Sequence, residues 1–299
     1  MKKLINGLFI LGFLFVINAC KEEPPYINFS PENTIGDTSY IISPVPSAEL
    51  KSVLIEEFSG VKCANCPSAQ VSAKAISTAN PGRVNVVTVH PLNKLNALTR
   101  PFDKAGGDEF TSKYDFRTEA GAQIFEMVGL TSGIPTGNVN RKLFSGEILP
   151  NIDYPKWSAY VNQELNSPTP VNIKLNAKNI GDSIEVELTL TYTQAQTDSQ
   201  YVTISILESE MEDIQESKDS TGATIFVENY IHRHVLRGII TSYFGDYLNA
   251  SYVPGRVFYK KYRIKRDPKW NAANLDVVAF VHLNTTKKNV LHSKETKVN

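Results

Sequence analysis

The chain has 299 residues, with 31 Lys and Arg against 31 Asp and Glu, so its formal net charge is zero. That balance argues against a role dominated by nucleic acid, which needs a concentrated basic surface. The length suggests about two domains, and the 41% hydrophobic content is ordinary for globular protein.

Lys2 and Lys3 give a short positive start, and Leu4 to Ile17 form an apolar run broken only by Asn6 and two glycines. A stable bilayer span needs about 20 apolar residues, so this run suits the core of a signal peptide over residues 1–20. It ends in Ile17-Asn18-Ala19-Cys20, which resembles the lipobox of bacterial lipoproteins. The resemblance implies that Cys20 becomes the first mature residue, carrying fatty acyl chains such as palmitate, and that the protein meets the membrane through this anchor. Two or three chains together hold stably where one holds marginally. Removing the two lysines leaves the mature chain slightly acidic. Cys20 aside, only Cys63 and Cys66 remain; in an oxidising envelope such a pair is expected to form a disulfide.

Residues 21–47 read as a tether, broken by Pro24, Pro25, Pro31, Pro44 and Pro46, with a short strand near Tyr40 to Ile42. Lys21-Glu22-Glu23 resembles the signal that sends some Bacteroidetes lipoproteins to the outer surface. Residues 48–166 read as α/β. Val53 to Phe58 is a buried-type strand, Pro67 to Ala79 a helix closed by Asn80-Pro81-Gly82, and Val84 to His90 a second buried strand. The three make a right-handed βαβ unit. Residues 92–128 form an insertion with a helix from Phe116 to Met127. Gly133-Ile134-Pro135-Thr136, a hairpin around Ser145-Gly146 and a helix from Tyr154 to Leu165 follow.

Ser167-Pro168-Thr169-Pro170 is the expected domain boundary. Over residues 167–299 the period changes to two, in Val171 to Lys178, Ser183 to Tyr192 and several later runs. Such alternation marks half-buried strands and suggests an antiparallel β-sandwich of the immunoglobulin-like kind. Glu208 to Asp219 reads as an acid-rich loop. Lys260, Lys261, Arg263, Lys265 and Arg266 read as a basic edge strand protected by its charge. His232 and His234, two apart on a strand, would share one face and are read as packing or hydrogen-bonding groups, so no metal and no cofactor is expected.

Cys63-Ala64-Asn65-Cys66 sits where a strand hands over to a helix. A thiol at a helix N-terminus meets the positive end of the dipole, which favours thiolate. Lys62 adds charge, making Cys63 the expected nucleophile and Cys66 the resolving thiol. Two further features make the segment resemble the thioredoxin superfamily. Glu57 stands six residues before Cys63, where that superfamily keeps a buried proton-relaying carboxylate. Gly133-Ile134-Pro135-Thr136 matches its Gly-Ile-Pro-Thr segment, which implies a cis Pro135 and a substrate-facing backbone at Ile134. The tryptophan common before the first cysteine is absent, and about forty residues separate His90 from Gly133, many more than in thioredoxin; an insertion there could cover the disulfide or bind a partner.

Glu56 to Pro67, together with Tyr230-Ile-His-Arg-His-Val-Leu-Arg237 in a β-rich second half, resembles the Omp28-like outer-membrane lipoproteins of Bacteroidetes. This implies outer-membrane localisation, with exposure at the cell surface. Two functions are in play: thiol–disulfide exchange on exported proteins at Cys63, Cys66, Glu57 and Pro135, or surface adhesion and ligand binding with a structural Cys63–Cys66 disulfide. Replacing Cys20 by Ser is expected to stop acylation and release the protein from the membrane fraction. A Cys20→Ser variant that still sediments with membranes would rule out the anchor.

Overall fold

The computed structural model describes residues 33–129, 133–284 and 287–299. The signal peptide, Cys20 and the Lys21-Glu22-Glu23 segment lie outside them. The described chain is mostly β. The strand β1 (Thr34–Ile41) precedes a unit made of β2 (Val53–Phe58), α1 (Cys66–Ala79) and β3 (Val84–Val89). β2 and β3 run parallel, from Val53 opposite Val84 to Phe58 opposite Val89. Every residue of both strands is buried, because the sheet is covered on both faces; hence the mostly apolar runs, with Glu56, Glu57, Asn85 and Thr88 buried among them. α1 carries Pro67 in its first turn, where a missing N–H costs nothing. It buries Cys66, Ala69, Ala73 and Ile76, a helical stripe of mostly small residues that lets it lie close to the sheet.

The insertion holds a short helix α2 (Asn96–Thr99), a 3-10 turn and α3 (Glu119–Val128), with Thr118 capping α3 by accepting from the Gly121 N–H. β4 (Thr136–Val139) then pairs antiparallel with β2, β5 (Asn151–Ile152) pairs with β4, and α4 (Trp157–Leu165) packs under them. The expected hairpin around Gly146 is the loop between β4 and β5.

Beyond Pro170 come β6 (Val171–Ile180), β7 (Ser183–Tyr192), β8 (Gln200–Glu208), β9 (Met211–Lys218), β10 (Thr224–His232), β11 (Val235–Ile239), β12 (Asp246–Tyr247), β13 (Arg256–Lys265), β14 (Leu275–Leu283) and β15 (Val290–Lys297). Among the described residues β1, β13, β7 and β6 make a four-stranded sheet in that order, and β9 and β10 make a separate two-stranded hairpin. The remaining strands make one nine-stranded sheet in the order β15-β14-β8-β11-β3-β2-β4-β5, with β12 on β8. The strands after Pro170 therefore add to the sheet that precedes it. The junction is narrow: β11 meets β3 in parallel at Val235 and Thr88, with the Thr88 N–H donating to the His234 carbonyl at 2.8 Å. The four-stranded sheet packs on β8 and β14 through Leu188, Tyr192, Ile204, Val277 and their neighbours, the largest core.

Three readings of the sequence are corrected. The acid-rich 208–219 segment is strand, not loop: β9 buries Met211, Asp213, Ile214 and Gln215 and leaves Glu212 exposed. The basic strand β13 lies inside its sheet, between β1 and β7, and its cations are absorbed by Lys260–Asp37, Lys261–Glu185 and Arg263–Glu185 ion pairs. The pairing with β13 also orders residues 34–41, which belonged to the expected tether and start a strand well before Tyr40.

Arg141, at the exit of β4, and Glu56, on β2, are both almost wholly buried and meet in a bidentate pair, with Arg141 Nε donating to Glu56 Oε2 at 2.8 Å. Asn138 donates a further bond to Glu56 at 3.1 Å, and the guanidinium lies 4.9 Å from the ring centre of Phe280 on β14. Removing one partner of such a pair strands a buried charge. Arg141→Met is expected to cost about 3–5 kcal/mol in urea unfolding, and adding Glu56→Leu should return most of it. Equal stability of the single and double variants would contradict the assignment.

Candidate functional site

β2 ends at Phe58 and turns through Ser59-Gly60-Val61-Lys62 into the cysteine pair. The Cys63 N–H donates to Gly60 O at 3.2 Å and the Cys66 N–H to Cys63 O at 3.0 Å, so the first cysteine lies in the turn and α1 begins at the second. Cys63 and Cys66 form a disulfide with their Cα atoms 5.4 Å apart. Cys66 is fully buried, and Cys63 is only 3% exposed.

Two segments bury it. From the insertion, Leu98 O accepts from the Lys62 N–H at 2.9 Å. It sits so close to Gly60 that a Cβ there would lie 2.4 Å from that oxygen, so only glycine fits. From the second half, Gln215 on β9 donates its amide to Gly60 O at 3.1 Å and Cys63 O at 3.3 Å, and the Glu216 N–H donates to Val61 O at 2.8 Å. Val61, Phe102, Phe116, Met211, Ile214 and Val235 close into an apolar cluster alongside. Asp213 holds the two covers together, accepting from the Lys113 and Tyr114 N–H groups at 3.0 and 2.9 Å.

Lys62, expected to lend charge to Cys63, gives it to Asp108 instead. Its Nζ donates to Asp108 at 2.6 Å and lies 4.6 Å from the centre of the Phe102 ring. Arg100 binds the same carboxylate, and the two cations, Arg100 foremost, hold Asp108 well below the usual carboxylate range. The Ile134–Pro135 bond is cis, as the resemblance implied, and the Ile134 side chain borders Gly60.

Glu57 faces the α1 side of β2, and its neighbour Glu56 faces the other. Burial raises its pKa to about 8, little offset by Thr88, and its Oε1 has no hydrogen-bond partner among the described residues. It lines a cavity that neither cysteine lines, opposite the middle of α1. His232 and His234 do not share a face. His232 is buried against Phe116 with its pKa pushed down to about 4 by desolvation, while His234 turns away at φ 52° and lies 3.6 Å from Glu295. His90, 6.5 Å from His232 between ring centres, is likewise buried and pushed down to about 3.

Sequence reasoning missed Gln215, Asp108, Asp213 and His90. None left a local signal: β9 reads Met-Glu-Asp-Ile-Gln-Glu-Ser-Lys, with no apolar–polar alternation to mark a strand.

An α/β unit with a covered disulfide, continuous through one sheet with an antiparallel β-sandwich, defines the class of protein. The model of the outer membrane protein Omp28 family matches residues 123–299, more than half of the chain. The chain belongs to the Omp28 outer membrane protein family, which agrees with the outer-membrane localisation expected from its sequence. The match leaves out Glu57, Cys63 and Cys66. No curated protein matches the chain. Among solved structures it is similar to HBP35 of Porphyromonas gingivalis, at 19% identity and TM-score 0.62 over 85% of this chain and 77% of that one. A protein from Agrobacterium tumefaciens aligns at 11% identity and TM-score 0.48, over 85% of this chain and 97% of its own.

The raised pKa of Glu57 sets a pH dependence. Below about pH 4.5 the carboxyl is neutral folded or unfolded. Between there and about pH 8 only the unfolded chain ionises, so stability falls as pH rises. Glu57→Gln lacks this limb. Its stability relative to the natural chain should rise by roughly 1 kcal/mol per pH unit across the window in urea titrations, and parallel curves would place the ionised carboxylate in the fold.

Proposed function

We propose that this protein is a lipid-anchored binding protein of the outer membrane, tethered through Cys20, in which the Cys63–Cys66 disulfide is structural. In this reading residues 48–166 are a thioredoxin-like unit kept as a scaffold, and residues 167–299 an immunoglobulin-like sandwich fused to it. The observation that carries it is the 3% exposure of Cys63 beneath Gln215. Thiol–disulfide exchange needs a second thiolate to reach the sulfur it attacks, and here the insertion and the β9–β10 hairpin occupy that approach. The disulfide instead fixes the turn that starts α1, at the point where both covers dock.

The second reading is exchange on exported proteins with Cys63 as nucleophile, Cys66 resolving, Glu57 relaying the proton, and Pro135 and Ile134 holding the substrate strand. It draws on the position of the pair between β2 and α1, and it needs the covers to lift.

Trapping separates the two. A structural disulfide gives no mixed disulfides in envelopes expressing either Cys66→Ser or Cys63→Ser, and each variant loses a few tenths to a few kcal/mol, the lower end favoured by so short a loop. Thiol-sensitive adducts on non-reducing gels with Cys66→Ser alone would establish the exchange reading.

A further inference from the structure

α1 and β10 do not close on each other. Between them lies a cavity of about 330 Å³, floored by β2 and β3 and bounded by Tyr230, whose hydroxyl donates to Gln70 at 2.6 Å. That volume falls at the small end of ligand sites.

Its lining carries groups of opposite charge beside aliphatic side chains. At its buried end Glu57 is 1% exposed and its Oε1 is unpartnered among the described residues. A buried carboxyl oxygen without a partner is costly, and an ammonium group offsets it best, because it donates to the oxygen and its charge draws the carboxyl into the ionised form. No other carboxylate lines the cavity, whereas Lys74, Arg233 and His234 do. Arg233 is shared with Glu210 and His234 with Glu295, but the exposed Lys74 side chain has no ion pair among the described residues. Val86, Val227 and Ile231 give the lining aliphatic surface, with Val71 exposed at its rim. A ligand matching this lining has an ammonium group for Glu57, an anionic group for Lys74 and an aliphatic side chain for the valines and Ile231.

We propose that the cavity between α1 and β10 binds a free aliphatic α-amino acid or a dipeptide of such residues, its ammonium on Glu57 and its carboxylate at Lys74. This rests on the reading of the protein as a binding module and gives that module a ligand class.

The test is calorimetric titration of the full chain, disulfide intact, with L-leucine and L-leucyl-L-leucine. Isovalerate, which lacks the amine, and isoamylamine, which lacks the carboxylate, are the controls. At least one zwitterion should bind at millimolar concentration or below, with each control about 10-fold weaker or more. Glu57→Gln and Lys74→Glu, the first near-isosteric and the second on the surface, should each weaken binding about 10-fold while leaving circular dichroism unchanged. Val71→Trp, at the rim, should crowd the mouth and weaken binding further. Absence of binding by both zwitterions at about 10 mM, controls that bind as tightly, or affinity unmoved by both charge variants would overturn the proposal. A failure here leaves the trapping result untouched, and adducts on Cys63 would refute the structural disulfide without altering leucine binding, so the two readings fall separately.

Discussion

The buried Glu56–Arg141 pair is the constraint on which the joint between the two halves of this molecule depends. Two charges removed from water repay their desolvation only in one geometry. That geometry fixes β2, the exit of β4 and, through the face of Phe280, β14. β15 ties the same region from outside the pair: its Ser293 hydroxyl accepts from Asn85, its His292 ring accepts from the Ser52 N–H, and the Val290 N–H donates to Asn140. The second half is thus held against the first well beyond the single bridged pair between β3 and β11.

Everything above the cysteines follows from that hold. With β11 seated beside β3, the chain just before it, β9 and β10, has to pass over the turn that carries Cys63, and Gln215 finds the carbonyls exposed there. The insertion after β3 completes the cover, docking on Gly60 through a contact no larger residue allows. A cysteine motif of reactive type is therefore placed under two layers of its own chain. Motif and environment point in different directions, and the proposed structural role takes the side of environment, since attack on a sulfur requires access to it.

The parts of this arrangement legible in the sequence are those written in local patterns. Mostly apolar, non-alternating runs at Val53 to Phe58 and Val84 to Val89 marked doubly covered parallel strands, and period-two alternation marked β6 and β7. What was hidden depends on partners distant in the chain. β9 looked like a loop because its outward side chains are acids; its inward Asp213 and Gln215 make sense only against backbone groups about a hundred or more residues away. β13 looked like an edge because its cations read as solvated, until Asp37 and Glu185 came alongside. His234 left the face of His232 because Arg233 and His234 form the turn into β11, a reversal no two-residue spacing predicts.

Glu56 and Glu57 show how little separates a structural charge from a chemical one. They are neighbours on one strand, equally buried, and the pleat sends them to opposite faces. On one face Arg141 and Asn138 supply what a carboxylate needs, and Glu56 becomes part of the frame. On the other, Thr88 alone offsets little, and burial holds Glu57 in its neutral form at neutral pH with one oxygen unmet. The protein could have satisfied that oxygen with a side chain from α1, yet the helix offers Ala73 at one point and turns Gln70 to Tyr230 at another. A buried acid without a counterion among the described residues, beside a cavity, is the pair of features on which the proposed amino-acid site rests.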